Sequence, residues 1–565
     1  MTTASRPAAN ALARVRGEWS PAVICLAVAL CASGILLIVL GSHLVFEGDD
    51  WDVVLDRRGH SPSDFLNPHQ GHLVLGVVVV YKLLLVGFGM GSPIPYHVVS
   101  TLFYLAAATL MFVYIRRRVG DWLALFGTTV ILFFGASALD VLSSFQMFFS
   151  GAMAAGLGAL LALERGDRRG DVAACLLLAI SVSFSELGIA FSIGALVRLA
   201  LDREPLAPRL YVVLVPLALY GLWWLGWGHN GPSFFSLHNV ATTPSYVFHA
   251  VSIAIGALLG ISSSGNQAPA PVGQEWAPGL LVAALALGAW RVWRLGRVPQ
   301  GVWPVLAIGL TFWVLAGFNQ SDFRLPDNAR YLYPSGVFIL LIASELLRGV
   351  RPGTLAIAAV AGLMAIALAS NLAFLSDNYS FRKHQSQDNQ GLLRALEIGA
   401  PVNPAYDLTL GLAELNARTY TLAVQDWGSP AYTDAELGSA PEKSRVDADR
   451  TLAAMLHLRL RPGASVAHPC RTLAASADGA PGVPLGPGTI TIRATGSGGA
   501  EITLGRFSDE LPVTAGAVQP GRPASLRIPV DRSSRDWRLG AEGSGTLIVC
   551  GAPLAAARVV RAPVG

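Results

Sequence analysis

Residues 21–40 read PAVICLAVALCASGILLIVL, and this run decides the fold class. Twenty apolar or small residues without a charge match the length a helix needs to cross the hydrocarbon core of a bilayer, about 20 residues. Arg6, Arg14 and Arg16 precede the run, so the positive-inside bias predicts entry from the cytoplasm, with residues 1–20 as a cytoplasmic tail. The run is longer than the apolar core of a secretory signal and lacks a convincing small-x-small cleavage site, which predicts a retained anchor.

Outward from this anchor, the first two thirds of the chain repeat its pattern. The 565 residues are 53% apolar and only 14% charged, against about 25% charged in soluble domains. Apolar stretches at 97–115, 122–139, 147–163, 172–184, 187–200, 210–227, 278–290, 302–318, 331–347 and 354–375 predict, with the first, about eleven spans. The expected fold is therefore a polytopic α-helical membrane protein, with a transmembrane domain at 21–375. The basic clusters at 116–118, 165–169, 198–209, 291–297 and 348–351 all fall on the cytoplasmic side only if 73–88, which carries Lys82, and 246–261 do not cross. Each of those two stretches then reads as interfacial or re-entrant on the outer side. The pair within 172–200, interrupted by Ser183, Ser185 and Glu186, reads as a helical hairpin or as broken helices. A net charge of +4, carried in short clusters, offers no groove for nucleic acid, and no nucleic-acid partner is expected.

After residue 375 the composition shifts to Gly, Pro, Ser, Thr and Asp, and no spanning run remains. Residues 376–465 read as an extracytoplasmic mixed α/β region. Residues 466–565 show alternating strands at 489–494, 500–504, 525–530 and 546–550 separated by Gly/Pro turns, which predicts a β-sandwich. Cys470 and Cys550 are the only thiols of this exported tail, so a disulfide between them is expected; Cys25, Cys31 and Cys175 lie in apolar stretches.

Polar residues gather where spans meet the outer side. Loop one carries Glu47, Asp49, Asp50 and Asp52, then Asp56-Arg57-Arg58 and His60, then Asn67-Pro68-His69-Gln70-Gly71-His72. A carboxylate directly after a span sits near low dielectric, which raises its pKa toward general-base duty, while an adjacent cation pulls it back. Asp50 and Asp49 are the candidates. The bland alternative is a solvated acidic turn capped by Trp51, but ionisable clusters at a membrane edge are costly unless used. His69 and His72, with Asp49 and Asp50, read either as ligands of a divalent metal or as structural histidines at a helix start. Two further outer loops hold Asp140 and Gln146, and Arg324, Arg330 and Tyr331. Guanidinium binds phosphate oxygens as a bidentate fork, and Arg330 opens a span on the side where positive charge is scarce. Headgroup snorkelling is the alternative use of such an Arg.

The order of these features is familiar. An acidic loop (Glu47 to Asp52) after the first span, Pro68-His69 before a Leu-rich stretch ending Leu83-Leu84-Leu85-Val86-Gly87-Phe88, and a span ending Arg116-Arg117-Arg118 resemble the integral-membrane GT-C glycosyltransferases. Arg330-Tyr331-Leu332-Tyr333-Pro334 is similar to the Arg-Tyr-x-x-Pro that opens a late span in them. Phe145-Gln146-Met147-Phe148 in its Gly/Ala-rich helix is similar to a group of uncharacterised actinobacterial membrane proteins, and a chain with only Lys82, Lys383 and Lys443 as lysines suits a GC-rich genome. The resemblance covers the first two thirds of the chain. It implies transfer of a sugar from a polyprenyl-phosphate donor, with inversion, to an envelope glycan, glycolipid or exported acceptor at the outer leaflet of the plasma membrane. Asp50, or Asp49, matches the general base; Arg330, Arg324 and Lys82 match donor-phosphate contacts, with His69, His72, Asp140, Gln146 and Tyr331 as further pocket residues. No cofactor is required by the resemblance beyond an optional divalent metal. The chain lacks the longer acidic signatures of better-defined subfamilies, so sugar and acceptor do not carry over. The tail resembles the carbohydrate-binding sandwiches appended to some such enzymes. The rival readings are a glycolipid transporter or flippase, and a catalytically silent scaffold that presents the tail to glycan.

Overall fold

The structure, a computed structural model, describes residues 20–264, 272–463, 469–476, 482–495 and 497–551. The chain forms two compact units: Met1–Ser42, Gly59–Leu83 and Ile94–Phe381 in one, His43–Arg58, Leu84–Pro93 and Arg382–Gly565 in the other.

The first unit is helical. In chain order it contains α1 (Pro21–Gly41), most of α2 (Leu75–Phe88), α3 (Ile94–Val119), α4 (Asp121–Leu132), α5 (Met147–Leu163), α6 (Arg168–Phe184), α7 (Leu187–Leu201), α8 (Tyr211–Gly226), α9 (Leu237–Leu258), α10 (Ala277–Leu295), α11 (Val302–Phe318), α12 (Ala329–Leu346) and the first part of α13 (Thr354–Gly399). Among the described residues, seven helical segments are long and apolar enough to cross a membrane, and four shorter apolar helices accompany them. Leu285, Leu287, Trp290 and Trp293 of α10 stay exposed, as side chains facing lipid would.

Helix contacts rest on small residues and on polar groups that are satisfied inside the protein. The Ser33 hydroxyl donates to Leu132 O (2.7 Å) and the Ser181 hydroxyl to Ala152 O (2.8 Å). Asn371 accepts from Ala136 N (3.0 Å) and donates to Ala257 O (3.1 Å), tying α13 to two other segments. Beside it, Gly135 meets the Asn371 carbonyl so closely that no Cβ would fit.

Two details differ from the sequence reading. The stretch expected at 246–261 belongs to the 22-residue α9, whose first turns hold His238, Asn239, Thr242 and Thr243 and so break the apolar run that marks a helix to the eye. Ser236 caps it by accepting from Asn239 N (3.1 Å). Its length and composition suffice to cross, where a non-crossing segment was expected. Both flanks of α9 nevertheless engage one connection: Asn239 donates to Phe318 O (3.2 Å) and Gln320 O (3.1 Å), while Gln274, beyond the other end, donates to Asp327 (3.2 Å). The second difference is α13, one helix of 46 residues that runs past the composition change at 375; its residues through Phe381 belong to the first unit and the rest to the second.

The second unit gathers the segment after α1 together with the tail. A hairpin of β1 (Asp407–Leu410) and β2 (Ala413–Asn416), turning at Gly411 with φ +61°, leads into α14 (Ala417–Trp427), capped by Asn416, then α15 (Asp434–Ser439) and α16 (Glu442–Met455). Two antiparallel sheets follow. One has the order β3-β9-β6-β11-β4 (Arg461–Pro462, Ala524–Ile528, Gly488–Thr495, Thr546–Cys550, Cys470–Ala474), and the other β5-β10-β7-β8 (Val483–Leu485, Trp537–Gly543, Ala500–Gly505, Val513–Val518). Ile490, Ile492, Leu526 and Leu547 of the first sheet share a buried core with Ile502, Leu504, Trp537 and Leu539 of the second. The four strands expected here are all present. Cys470 and Cys550 are register partners in β4 and β11 and form the expected disulfide.

Two buried carboxylates hold the helical part of this unit to its loops. Asp449 of α16 accepts from the amides of Arg506 (2.9 Å), Phe507 (3.1 Å) and Ser508 (2.9 Å). For Asp434, burial works against ionisation, but the Ser534 amide (2.7 Å) and the Arg394 guanidinium (2.8 Å) outweigh it and hold the carboxyl below the usual carboxylate range. A depressed native pKa contributes stability above the unfolded value of about 3.9, and this is lost as pH falls through the native value. Asp434→Asn should therefore destabilise the tail at pH 7 and flatten its acid-side loss of stability. Thermal unfolding of the full chain between pH 7 and pH 2 measures both.

Candidate functional site

In the first unit the candidate residues converge around the start of α12. Asn328 caps this helix by accepting from Arg330 N (3.1 Å), which sets Arg330 and Tyr331 in its first turn. Arg324, in the connection before it, is buried; its Nη2 donates to Gln70 O (2.9 Å) and its guanidinium lies 4.8 Å from the Phe234 ring centre. Gln70 belongs to the tight turn Pro68-His69-Gln70-Gly71-His72, closed by His69 N to His72 O (3.0 Å) and His72 N to His69 O (2.8 Å). Gly71 has φ +87° and packs on the Pro232 carbonyl, so the turn tolerates no side chain there.

The two histidines face different partners. His69 is buried with its ring 5.0 Å from that of Phe145, whereas His72 pairs through Nδ1 with the Glu186 carboxylate and lies 6.0 Å from Phe148. Glu186 sits in the break between α6 and α7, so the interruption read in the sequence delivers a carboxylate to this group. The Asp140 carboxylate lies 2.7 Å from the Ser137 hydroxyl, which is itself 2.7 Å from the Ala329 carbonyl, placing Asp140 beside the origin of α12. Lys82 donates to Gly59 O (2.6 Å) and lies 4.6 Å from the Phe65 ring centre.

Several buried polar atoms of this unit have no hydrogen-bond partner: Arg330 Nε, Gln146 Oε1, Tyr246 OH and Tyr333 OH. Buried polar atoms are nearly always paired, and an unpaired one costs about 1–3 kcal/mol, so open donors and acceptors of this kind suit a polar ligand. Tyr246, Tyr333 and Glu186 are absent from the sequence-based set. Tyr246 and Tyr333 lie inside apolar runs and carry no pattern that separates them from core aromatics; Glu186 was visible as a lone carboxylate in an apolar hairpin.

The acidic candidates belong to the second unit. Gly48, at φ +49°, turns the chain into a short helix of Asp49, Asp50 and Trp51. Asp50 is 1% exposed, and its carboxylate accepts from Glu47 N (2.9 Å) while Asp50 N returns a bond to Glu47 O (3.1 Å). The Glu47 carboxylate pairs with Arg382, and Trp51 is buried edge-on between Phe46 and Tyr420, each 5.8 Å away. The base candidate is thus held by backbone and by a locked aromatic, not set in a solvated turn.

Among the described residues no three His, Cys, Asp or Glu side chains form a metal-ligand group. Asp49 and Asp50 lie in the second unit, and His69 and His72 in the first, with His72 committed to Glu186. The donor set does not fit a divalent ion, and no step is drawn through one.

No family model matches the chain, and no curated protein matches it. Among solved structures, ArnT from Cupriavidus metallidurans bound to undecaprenyl phosphate superposes with a TM-score of 0.44 at 16% identity, over 72% of this chain and 88% of that one. The same protein in the apo state gives 0.43 at 15% identity, over 70% and 83%. These matches assign no family.

Arg324→Ala should loosen the 68–72 turn. Losing a charge-assisted hydrogen bond of this kind costs about 1.5–3 kcal/mol, and Arg324→Lys should restore it only in part, because an ammonium can donate to Gln70 O but cannot reproduce the planar guanidinium over Phe234. Chemical denaturation of the purified chain, with protease susceptibility at His69–His72, reads both effects.

Proposed function

We propose that this chain is a membrane glycosyltransferase that moves a sugar from a polyprenyl-phosphate donor to an envelope glycan, glycolipid or exported acceptor on the outer face of the plasma membrane. The observation that carries this reading is the group at the start of α12: Arg330 with an open Nε, the buried Tyr333 hydroxyl without a partner and the nearby Asp140 carboxylate, with Arg324 tied through the 68–72 turn to His72 and Glu186. A phosphate with an attached sugar satisfies both halves of such a set, anion to guanidinium and sugar hydroxyls to the open oxygens.

In the proposed reaction Asp50, or Asp49 in its stead, takes the proton of the acceptor hydroxyl as its oxygen bonds to the anomeric carbon. The bond from that carbon to the phosphate oxygen breaks, and the electron pair leaves with the phosphate. Attack opposite to the departing group inverts the anomeric centre. Arg330, with Arg324 and Lys82, stabilises the charge that develops on the leaving phosphate. The reading includes about eleven spans, a cytoplasmic N-terminus and an outer tail, with 73–88 and α9 on the outer side without crossing. Support for α9 is that both of its flanks engage the single connection of residues 318–327. The paired sheets of the tail, one of them closed at its edge by the Cys470–Cys550 disulfide, read as a carbohydrate-binding sandwich on architecture alone.

Asp50→Asn should abolish transfer, since an amide keeps the shape and cannot take the proton; loss of a general base costs about 10²–10⁴ in rate. Arg330→Ala should instead weaken apparent donor affinity. A transfer assay with a synthetic polyprenyl-phosphate sugar separates turnover from affinity. Full transfer by both Asp50→Asn and Asp49→Asn would remove the first-loop base and favour the transporter reading, which uptake into proteoliposomes examines.

Topology is checked by cysteine-accessibility labelling in a background free of Cys25, Cys31 and Cys175. Positions near Arg117 and Arg294 should label from the cytoplasm, and those near Asp50, Asp322 and Trp537 from outside. Outside labelling near Arg117 would overturn the placement of 73–88.

A further inference from the structure

We propose that the arginine-rich end of the first unit carries a second binding site, for the headgroup of a phospholipid in which a phosphate adjoins a hydrogen-bond donor. There the ends of α3, α5, α7, α11 and α12 surround a cavity of about 310 Å³ whose wall holds four guanidinium groups, Arg117, Arg118, Arg198 and Arg348, against two carboxylates, Glu164 and Glu345.

Part of this set is frame. Arg118 lies 3.3 Å from the Tyr114 ring centre and donates to Glu164 (2.7 Å), to Tyr114 O (2.7 Å) and to Glu345. Glu164 spends its second oxygen on Arg117. Arg198 and Arg348 are less committed: their side chains are 39% and 61% exposed, the first 3.2 Å from Asp202 and the second 3.7 Å from Glu345 Oε2, beyond hydrogen-bond distance.

Glu345 supplies an independent sign of a ligand. It is 1% exposed; Oε1 accepts from the Tyr114 hydroxyl (2.8 Å) and from Arg118, while Oε2 is buried with no hydrogen-bond partner. Gly301 lies against this carboxylate with no room for a Cβ, so the position is built for it. An open carboxylate oxygen calls for a donor, while the surplus of guanidinium calls for an anion. Phosphate alone meets Glu345 with like charge, and a simple cation meets four arginines. A phosphodiester bearing a hydroxyl or ammonium group satisfies both at once. Leu160 and Pro304 add apolar wall, and where these helices span a membrane their ends lie at headgroup depth, which makes the surrounding leaflet the source. A soluble phosphate ester shares the chemistry and is distinguished below.

This inference rests on the helices spanning a membrane, not on sugar transfer, and its readout is binding, so its failure leaves the transferase reading untouched. The full chain in detergent is mixed with phosphatidylglycerol, phosphatidylethanolamine or phosphatidylcholine of identical acyl chains, and retained lipid is counted by native mass spectrometry, with and without inorganic phosphate. The first two lipids have donors beside the phosphate and the third has none. One molecule of either donor-bearing lipid should be retained per chain, about tenfold more tightly than phosphatidylcholine. Arg198→Gln with Arg348→Gln should reduce retention about tenfold, whereas Arg165→Gln with Arg203→Gln, an equal loss of charge elsewhere, should not. Glu345→Gln should narrow the preference over phosphatidylcholine. If the double variant fails to fold, Arg348→Gln alone serves, because its side chain is mostly exposed. Equal retention of all three lipids, an equal loss in the control pair, or displacement by inorganic phosphate would each overturn the proposal, the last by making the occupant a soluble phosphate.

Discussion

Hydrocarbon supplies no hydrogen-bond partner, so every polar group a spanning helix turns inward must find one inside the protein. The first unit meets this demand with short side chains that reach a neighbouring backbone. Ser33, Ser181 and Asn371 each donate to a carbonyl of another segment, and glycines at 135, 151 and 156 let the helices come close enough for it. Against that thrift, the open polar atoms at Arg330, Tyr246, Tyr333 and Gln146 stand out.

Helix α12 places opposite charges at its two ends. Arg330 lies in its first turn and Glu345 in its last; fifteen residues at 1.5 Å per residue set them about 22 Å apart, most of the depth of a hydrocarbon core. At one end Arg330 stands with an unpaired Nε, and at the other Glu345 is faced by guanidinium groups. Between them the helix is apolar and buried, and Trp313 donates to Ser335 (2.9 Å) as its one polar cross-link among the described side chains of α11. One helix thus carries a cation at its first turn and an anion at its last.

Much of this was legible in order of physical strength. The spans follow from length and hydropathy, which hydrocarbon reads directly. The strands at 489–494, 500–504, 525–530 and 546–550 alternate cleanly, and the structure has them; β8 (VTAGAV) and β10 (WRLGAEG) escaped because Gly516 and Gly540 dilute the alternation. The pairing of Cys470 with Cys550 follows from counting thiols in a tail read as exported, and register makes them neighbours. The start of α9 was missed because capping and first-turn polar residues imitate a loop when read without their partners.

The sequence by itself determined the class of protein, the grouping of basic residues at helix ends and the polar character of the connections, because each is a local property of composition. Which connection meets which was decided only by tertiary structure. His72 and Glu186 are 114 positions apart and Arg324 and Gln70 are 254 apart, and no periodicity links either pair. The assignment of residues 43–58 to the unit that holds the distant tail is likewise invisible in the chain, because it rests on contacts such as Glu47 with Arg382 and Trp51 with Tyr420. Pair specificity of this kind arises from packing, where a partner is chosen by position in space, and position in space is what a linear order of side chains leaves open.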